Sequence, residues 1–94
     1  MAEERLEIRR KRLYMRSIRR GIKEMDVILT GYADGHLGDL EGPALDTYEA
    51  LLEENDHDIY QWVTGQSAPP DEYGSLVDEI GRTFTALMRR NREA

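Results

Sequence analysis

The chain is 94 residues long, has a formal net charge of −6 at pH 7 and contains no cysteine. This length allows one small domain with a single core, which weighs against a self-contained enzyme with a deep cleft and favours a binding module. The lack of cysteine excludes disulfide frameworks, thiolate metal sites and cysteine nucleophiles. Since the apolar runs are too short to span a bilayer, we predict no direct membrane insertion.

The charges are segregated along the sequence. Residues 1–24 contain nine lysines and arginines against four acids, and no lysine or arginine occurs between Lys23 and Arg82. This segregation indicates either two faces that pair within the fold or a surface that meets a charged partner. The arginine-rich start also contains glutamates, which mitochondrial targeting peptides avoid, so we expect a cytoplasmic protein of a bacterium.

Residue composition and apolar spacing predict two helices in the first third of the chain. Residues 3–18 are rich in helix-forming Arg, Glu, Leu and Met, with Leu6 and Leu13 on a thin apolar stripe. A second helix is predicted from about residue 20 to Tyr32, where apolar residues recur at helical spacing. The glycine-rich stretch that follows, as far as Gly42, predicts a loop.

Three further helices are predicted in the rest of the chain. Pro43 suits the first turn of the third helix. Asp56 is the predicted N-cap of a short fourth helix that Gly65 closes. Asp71 is the predicted N-cap of the fifth helix, which has the strongest apolar periodicity in the chain.

These five helices define the predicted fold. It is all-α, a small five-helix bundle that forms a single domain over residues 1–94. Tyr60 and Trp62 occur at helical spacing beside apolar residues and are expected in the core. Residues 1–5 and 89–94 are expected to be frayed.

Residues suited to catalysis or metal binding are scarce. The two histidines, His36 and His57, are far apart in sequence, and no spacing fixes a metal geometry around them. None of the serines stands in a nucleophile elbow. We therefore predict no catalytic residue, no metal site and no enzyme.

One charged cluster is distinctive, namely Arg20, Gly21 and Glu24. On a helix these three residues share one flank, with the glycine as a notch between two charges. A notch of this kind allows another backbone to approach closely. The alternative is that Gly21 only marks the joint between two helices, with Arg20 and Glu24 forming an exposed pair.

Longer motifs surround this cluster. They are Arg12-Leu13-Tyr14; Arg20-Gly21-Ile22-Lys23-Glu24-Met25-Asp26; Tyr48-Glu49-Ala50-Leu51-Leu52-Glu53; and Asp56-His57-Asp58-Ile59-Tyr60-Gln61-Trp62. The second matches the pattern R-G-x-x-E-x-D and the last matches D-x-D-[IL]-[YF]-x-W. With these motifs, residues 12–90 resemble the succinate dehydrogenase FAD assembly factor family, the SdhE type of bacteria. Its mitochondrial relatives are called succinate dehydrogenase assembly factor 2.

The resemblance implies an assembly chaperone with a five-helix fold. Such a protein binds the flavoprotein subunit of succinate dehydrogenase, and in many bacteria that of fumarate reductase, and promotes covalent attachment of FAD to it. FAD then belongs to the partner, so we expect no cofactor bound stably by this chain itself. Carried onto this sequence, the motif implies a flavoprotein-binding face at Arg20, Gly21 and Glu24, with Asp26, Arg12 and Tyr14 as further candidates.

Two other functions stay open at this point. One is a small protein–protein adaptor with a different partner, because a fold alone does not fix function. The other is nucleic-acid binding through the basic N-terminal helix, with an affinity that falls steeply with salt. The acidic remainder of the chain argues against this second function, and we predict no nucleic-acid partner.

Overall fold

A computed structural model of the chain describes residues 4–93. Its five α-helices are α1 (Leu6–Ile18), α2 (Lys23–His36), α3 (Gly42–Leu52), α4 (Asp56–Val63) and α5 (Gly74–Glu93). Single turns of 3₁₀-helix at Leu37–Asp39 and Asp71–Tyr73 precede α3 and α5, and no strand occurs over the described residues. The predicted all-α, five-helix fold is confirmed.

Helix α2 differs from the prediction at both ends. It begins at Lys23, because Ile22 has extended backbone angles (φ −130°, ψ 144°) and so ends a turn between the first two helices. It then continues through the glycine-rich segment to His36, where a loop was predicted. Its buried face continues through Tyr32 and Ala33. Burial of that face outweighs the cost of about 1 kcal/mol for each glycine in a helix.

Gly31 has a packing role inside α2. A Cβ atom at this position would lie 2.5 Å from Cδ1 of Leu87 on α5. The absence of a side chain therefore lets α2 and α5 approach closely.

Helix α4 begins with a different cap from the one predicted. Asn55 is the N-cap residue, and its side-chain oxygen accepts a hydrogen bond of 2.8 Å from the backbone N–H of His57. Asp56 is instead the first residue of the helix. Its carboxylate is consequently available for contacts elsewhere in the fold.

Helix α5 begins later than predicted. Asp71 starts the 3₁₀ turn, and α5 itself begins at Gly74. The helix runs as far as Glu93, and fraying from residue 89 onward stays a prediction. Residues 1–3 and 94 lie outside the described part of the chain.

One hydrophobic core joins the helices. Helix α1 contributes only Leu13 and Ser17 as fully buried residues. The other core residues are Met25, Ile28, Leu29, Tyr32, Ala33, Leu37, Leu45, Tyr48, Leu51, Leu52, Ile59, Tyr73, Val77 and Ile80. Tyr60 and Trp62, both predicted as core residues, are half-buried and pack against this cluster. No described helix is long and apolar enough to cross a membrane.

A buried hydroxyl pair connects α1 to α3. The Ser17 hydroxyl donates to the Leu13 carbonyl at 2.8 Å, so the Tyr48 hydroxyl, 2.5 Å from Ser17 Oγ, donates to that oxygen. Burial raises the pKa of Tyr48 to about 12. Burial, followed by a hydrogen bond to Glu54, raises the pKa of Tyr73 to about 12.

These tyrosines predict a loss of stability in alkali. The ordinary pKa of tyrosine is 10.0, so the unfolded chain loses its phenol protons at a lower pH than the folded chain does. The stabilisation is complete below that pH and is lost as the pH rises toward about 12. Urea unfolding across this interval should show the fall, and Tyr48→Phe should reduce its slope. A level free energy of unfolding over the same interval would contradict the prediction.

Candidate functional site at the Arg20–Gly21 turn

Two carboxylates hold the turn between α1 and α2. The Asp56 carboxylate accepts from Arg20 Nε at 2.8 Å through Oδ1 and from the Gly21 backbone N–H at 2.5 Å through Oδ2. The Asp26 carboxylate, in the first turn of α2, accepts from the Arg20 backbone N–H at 2.5 Å. The start of α4 and the start of α2 therefore fix the same two-residue segment.

The guanidinium of Arg20 is buried and makes its hydrogen bonds inside the fold. Besides Asp56, it donates to the Leu52 carbonyl at 3.0 Å and to the Arg16 carbonyl at 3.2 Å. Leu52 ends α3, where carbonyls lack partners within the helix, so Arg20 also caps that helix. The side chains of Arg20 and Asp56 are only 8% and 15% exposed.

Gly21 is needed because of Asp56. A Cβ atom on Gly21 would lie 2.9 Å from Oδ2 of Asp56, closer than side chains normally approach. The predicted helical flank of Arg20, Gly21 and Glu24 is wrong, because Arg20 and Gly21 precede α2. The carboxylate of Asp56, in the same chain, occupies the notch expected for the backbone of a partner.

The exposed part of the turn is small. Gly21 and Glu24 face solvent, with Glu24 in the first turn of α2. Asp26 is half-buried by its bond to the turn. The motif thus divides into outward residues and residues that shape the turn.

The two remaining candidates lie on α1, away from the turn. Arg12 is six residues before the end of α1 at Ile18, about 9 Å along the helix, and pairs with Glu49 at 3.0 Å. The Tyr14 hydroxyl donates to Asp34 on α2 at 2.8 Å. The structure therefore brings together Arg20, Gly21, Glu24 and Asp26, whereas Arg12 and Tyr14 have other partners.

Sequence reasoning missed Asp56 as a residue of this site. It was assigned to the helix cap, although Asn55 immediately before it is an equally good capping residue. The sequence did contain one signal: Asn55 and Asp56 can both cap a helix, so one of them is free for another contact. No local pattern in the sequence indicated that its partner would be Arg20, 36 residues earlier.

The ion pair of Arg20 is the last of a series of ion pairs between the arginines at α1 and the acids of α3 and α4. We call this series the ladder. The shorter contacts are Arg9–Glu49 at 2.7 Å, Arg9–Asp46 at 2.8 Å, Arg12–Glu49 at 3.0 Å, Arg16–Glu53 at 2.5 Å and Arg20–Asp56 at 2.8 Å. Arg9, Arg12 and Arg16 repeat every three or four residues and so share one face of α1, and the acids opposite them are spaced alike along α3 and its C-cap. The segregated charges thus pair within the fold. A nucleic-acid phosphate would have to displace these carboxylates, which disfavours the nucleic-acid alternative.

The ladder also affects titration. A hydrogen bond from Arg16 holds the pKa of Glu53 below its usual range. A lowered carboxyl pKa stabilises the fold above the unfolded pKa, and this contribution is lost as the pH falls.

We expect Asp56→Ala to destabilise the fold strongly. It leaves a buried guanidinium and the Gly21 N–H without their acceptor, a change that typically costs about 3 kcal/mol or more. Asp46→Ala is the matched control, because Asp46 is 68% exposed and its pair is worth less than about 1 kcal/mol. Urea unfolding measures both variants, and equal losses would show that the buried pair has no special role.

Gly21→Ala should destabilise the chain only while Asp56 is present. The added Cβ displaces a carboxylate oxygen, at an expected cost of about 1 kcal/mol. In the Asp56→Ala background the same substitution should cost nothing. A double-mutant cycle by urea unfolding measures the difference, and additive effects would refute the contact.

The fold and the site define a small helical binding protein in which a glycine turn is presented on a charged scaffold. Residues 11–84 match the model of the family described as the flavinator of succinate dehydrogenase. The match covers more than half of the chain, so the chain belongs to this family. Its members are assembly factors rather than enzymes.

Curated relatives agree with this assignment. Proteins named succinate dehydrogenase assembly factor 2, mitochondrial, are 48% identical over 61 residues in Candida glabrata and 36% identical over 86 residues in Danio rerio. These alignments cover 65% and 89% of this chain, and 40% and 54% of the relatives. A third, from Penicillium rubens, is 44% identical over 69 residues, which is 73% of this chain and 22% of the relative.

These relatives confirm the resemblance and correct one prediction. The chain spans between about a fifth and about half of their length. All three are named as mitochondrial proteins of eukaryotes. The predicted location in bacterial cytoplasm is therefore wrong.

Proposed function

We propose that this chain binds the flavoprotein subunit of succinate dehydrogenase and promotes covalent attachment of FAD to it. The observation that carries the proposal is the family match over residues 11–84, whose description refers to flavin attachment to that enzyme. The matched range includes the whole Arg20–Gly21 turn and Asp56. The flavoprotein of fumarate reductase, which undergoes the same modification, is a second partner in this proposal.

The proposed contact face consists of Gly21 and Glu24. Both are exposed, whereas the Arg20 side chain is buried and bonded within the chain. Glu24 offers a carboxylate for a charge-assisted hydrogen bond, and Gly21 offers a backbone surface without a side chain. Arg20 and Asp26 hold this face in shape, so they act as positioning residues.

Arg12 and Tyr14 extend the proposed face along α1. Arg12 is 41% exposed despite its ion pairs, and Tyr14 is half-buried against Asp34. Contacts from these residues would add to the affinity without changing the shape of the turn.

FAD remains with the flavoprotein in this proposal. Bond formation is the chemistry of the bound flavin and its attachment histidine, and this chain aligns the domains that hold them. The proposal is supported by the groups at the turn, which are a backbone surface and carboxylates rather than a nucleophile.

Glu24→Ala is the variant that tests the contact face. We expect it to melt within about 4 °C of the unaltered chain, because exposed substitutions change stability by less than about 0.5 kcal/mol. Covalent flavin on the co-expressed flavoprotein should fall at least about fivefold if one charge-assisted bond of about 1 kcal/mol is lost. Flavin fluorescence of the flavoprotein on a denaturing gel is the measurement.

Glu7→Ala is the matched control. Glu7 is an exposed glutamate at the second position of α1, as Glu24 is at the second position of α2. It should leave flavin attachment unchanged. Equal fluorescence with and without the chain would contradict the proposed function and favour an adaptor with another partner. Equal fluorescence for the two variants would contradict only the contact face.

A further inference from the structure

A groove of about 550 Å³ lies between the end of α4 and the outer side of α5, remote in sequence from the Arg20–Gly21 turn. The two helices are in close contact at Gly81, where a Cβ atom would lie 3.4 Å from the Val63 carbonyl. Helix α4 ends at Val63, whereas α5 continues twelve residues beyond Gly81 to Glu93. One side of α5 is therefore not covered by α4 beyond Gly81. We call this space the Trp62 groove, after the side chain at its α4 end.

The charge in this groove is unusual for its part of the chain. Arg82 and Arg89 both line it, and they follow a stretch from residue 24 to residue 81 that has no lysine or arginine. Three arginines of α1, namely Arg9, Arg12 and Arg16, pair with carboxylates in the ladder. Arg82 and Arg89, in contrast, are exposed and form no ion pair with any side chain of residues 4–91.

The groove also has apolar walls. Trp62 packs on Tyr73 with ring centroids 5.9 Å apart, and it contributes to the groove lining together with Val77 and Ala86. Asp78 lies on the same side of α5 as the two arginines, one turn before Arg82. It therefore gives one end of the groove the opposite sign of charge.

We propose that the Trp62 groove binds an acidic, extended segment of a partner protein. Charge complementarity supports this occupant, because two guanidiniums without described partners face the same groove beside an indole. The proposal is independent of the proposed function, since it uses no residue of the Arg20–Gly21 turn.

The spacing of the arginines specifies the segment further. Arg82 and Arg89 are seven residues apart on a helix, a rise of about 10.5 Å. In the extended polyproline II conformation, which has three residues per turn, two acidic residues three positions apart lie on the same side of the segment and span about 9 Å. An apolar side chain next to these acids would contact Trp62 and Ala86, and the end near Asp78 should carry no acid.

The probe is the blocked peptide acetyl-Ser-Glu-Leu-Gly-Glu-Phe-Ser-amide, which has this spacing and no tryptophan. Because Trp62 is the only tryptophan of the chain, its fluorescence reports on the groove directly. Titration of the full chain should give saturable binding that weakens with salt. The same peptide with both glutamates replaced by glutamine should bind at least about tenfold more weakly.

Arg89→Glu and Arg90→Glu form the matched pair of variants. The residues are adjacent and both exposed, and only Arg89 lines the groove. Arg89→Glu should weaken binding of the acidic peptide at least about tenfold, and Arg90→Glu by less than about twofold. Both variants should keep the melting temperature of the unaltered chain.

Several results would overturn the proposal. These are equal binding of the two peptides, equal losses for the two variants, or no saturable change in Trp62 fluorescence. Inorganic phosphate that displaces the acidic peptide at equal concentration would indicate a general anion site instead. A dimer that forms at micromolar concentration and needs Arg89 would identify a second copy of this chain as the occupant.

Discussion

The buried pair of Arg20 and Asp56 is the interaction on which the shape of the molecule around the first turn depends. Removing two charges from water is costly unless each also gains hydrogen bonds. Here the Gly21 N–H and the Leu52 carbonyl provide them. The pair thereby joins the turn, the end of α3 and the start of α4. The outward position of Gly21 and Glu24 follows from this arrangement, so the placement of two exposed residues depends on a buried ion pair.

The ladder explains why basic and acidic residues are segregated along the sequence. A net charge of −6 conceals a basic helix and an acidic remainder that lie against each other. Most of these pairs are exposed and individually weak. Their regular spacing holds α1 along α3, and the buried pair at one end fixes the register, because a shift of one helical turn would separate Arg20 from Asp56.

Much of the fold could be predicted from the sequence, since buried residues at helical spacing are a local signal. This signal was strong in α5 and located all five helices. It failed at α2, where glycines indicated a loop although Tyr32 and Ala33 continue the buried face. At the site, the family motif identified Arg20, Gly21 and Glu24, but the role of Asp56 depends on a tertiary contact across 36 residues. No local pattern reports such a contact.

The sparse burial of α1 separates this helix from the rest of the bundle. Only Leu13 and Ser17 are fully buried along its thirteen residues, and arginine–carboxylate contacts make up much of its attachment to α3. Ionic attachment is screened by salt, whereas the apolar packing of α2 to α5 is not. We therefore expect the amide hydrogens of α1 to exchange faster than those of the core, and more so as the ionic strength rises.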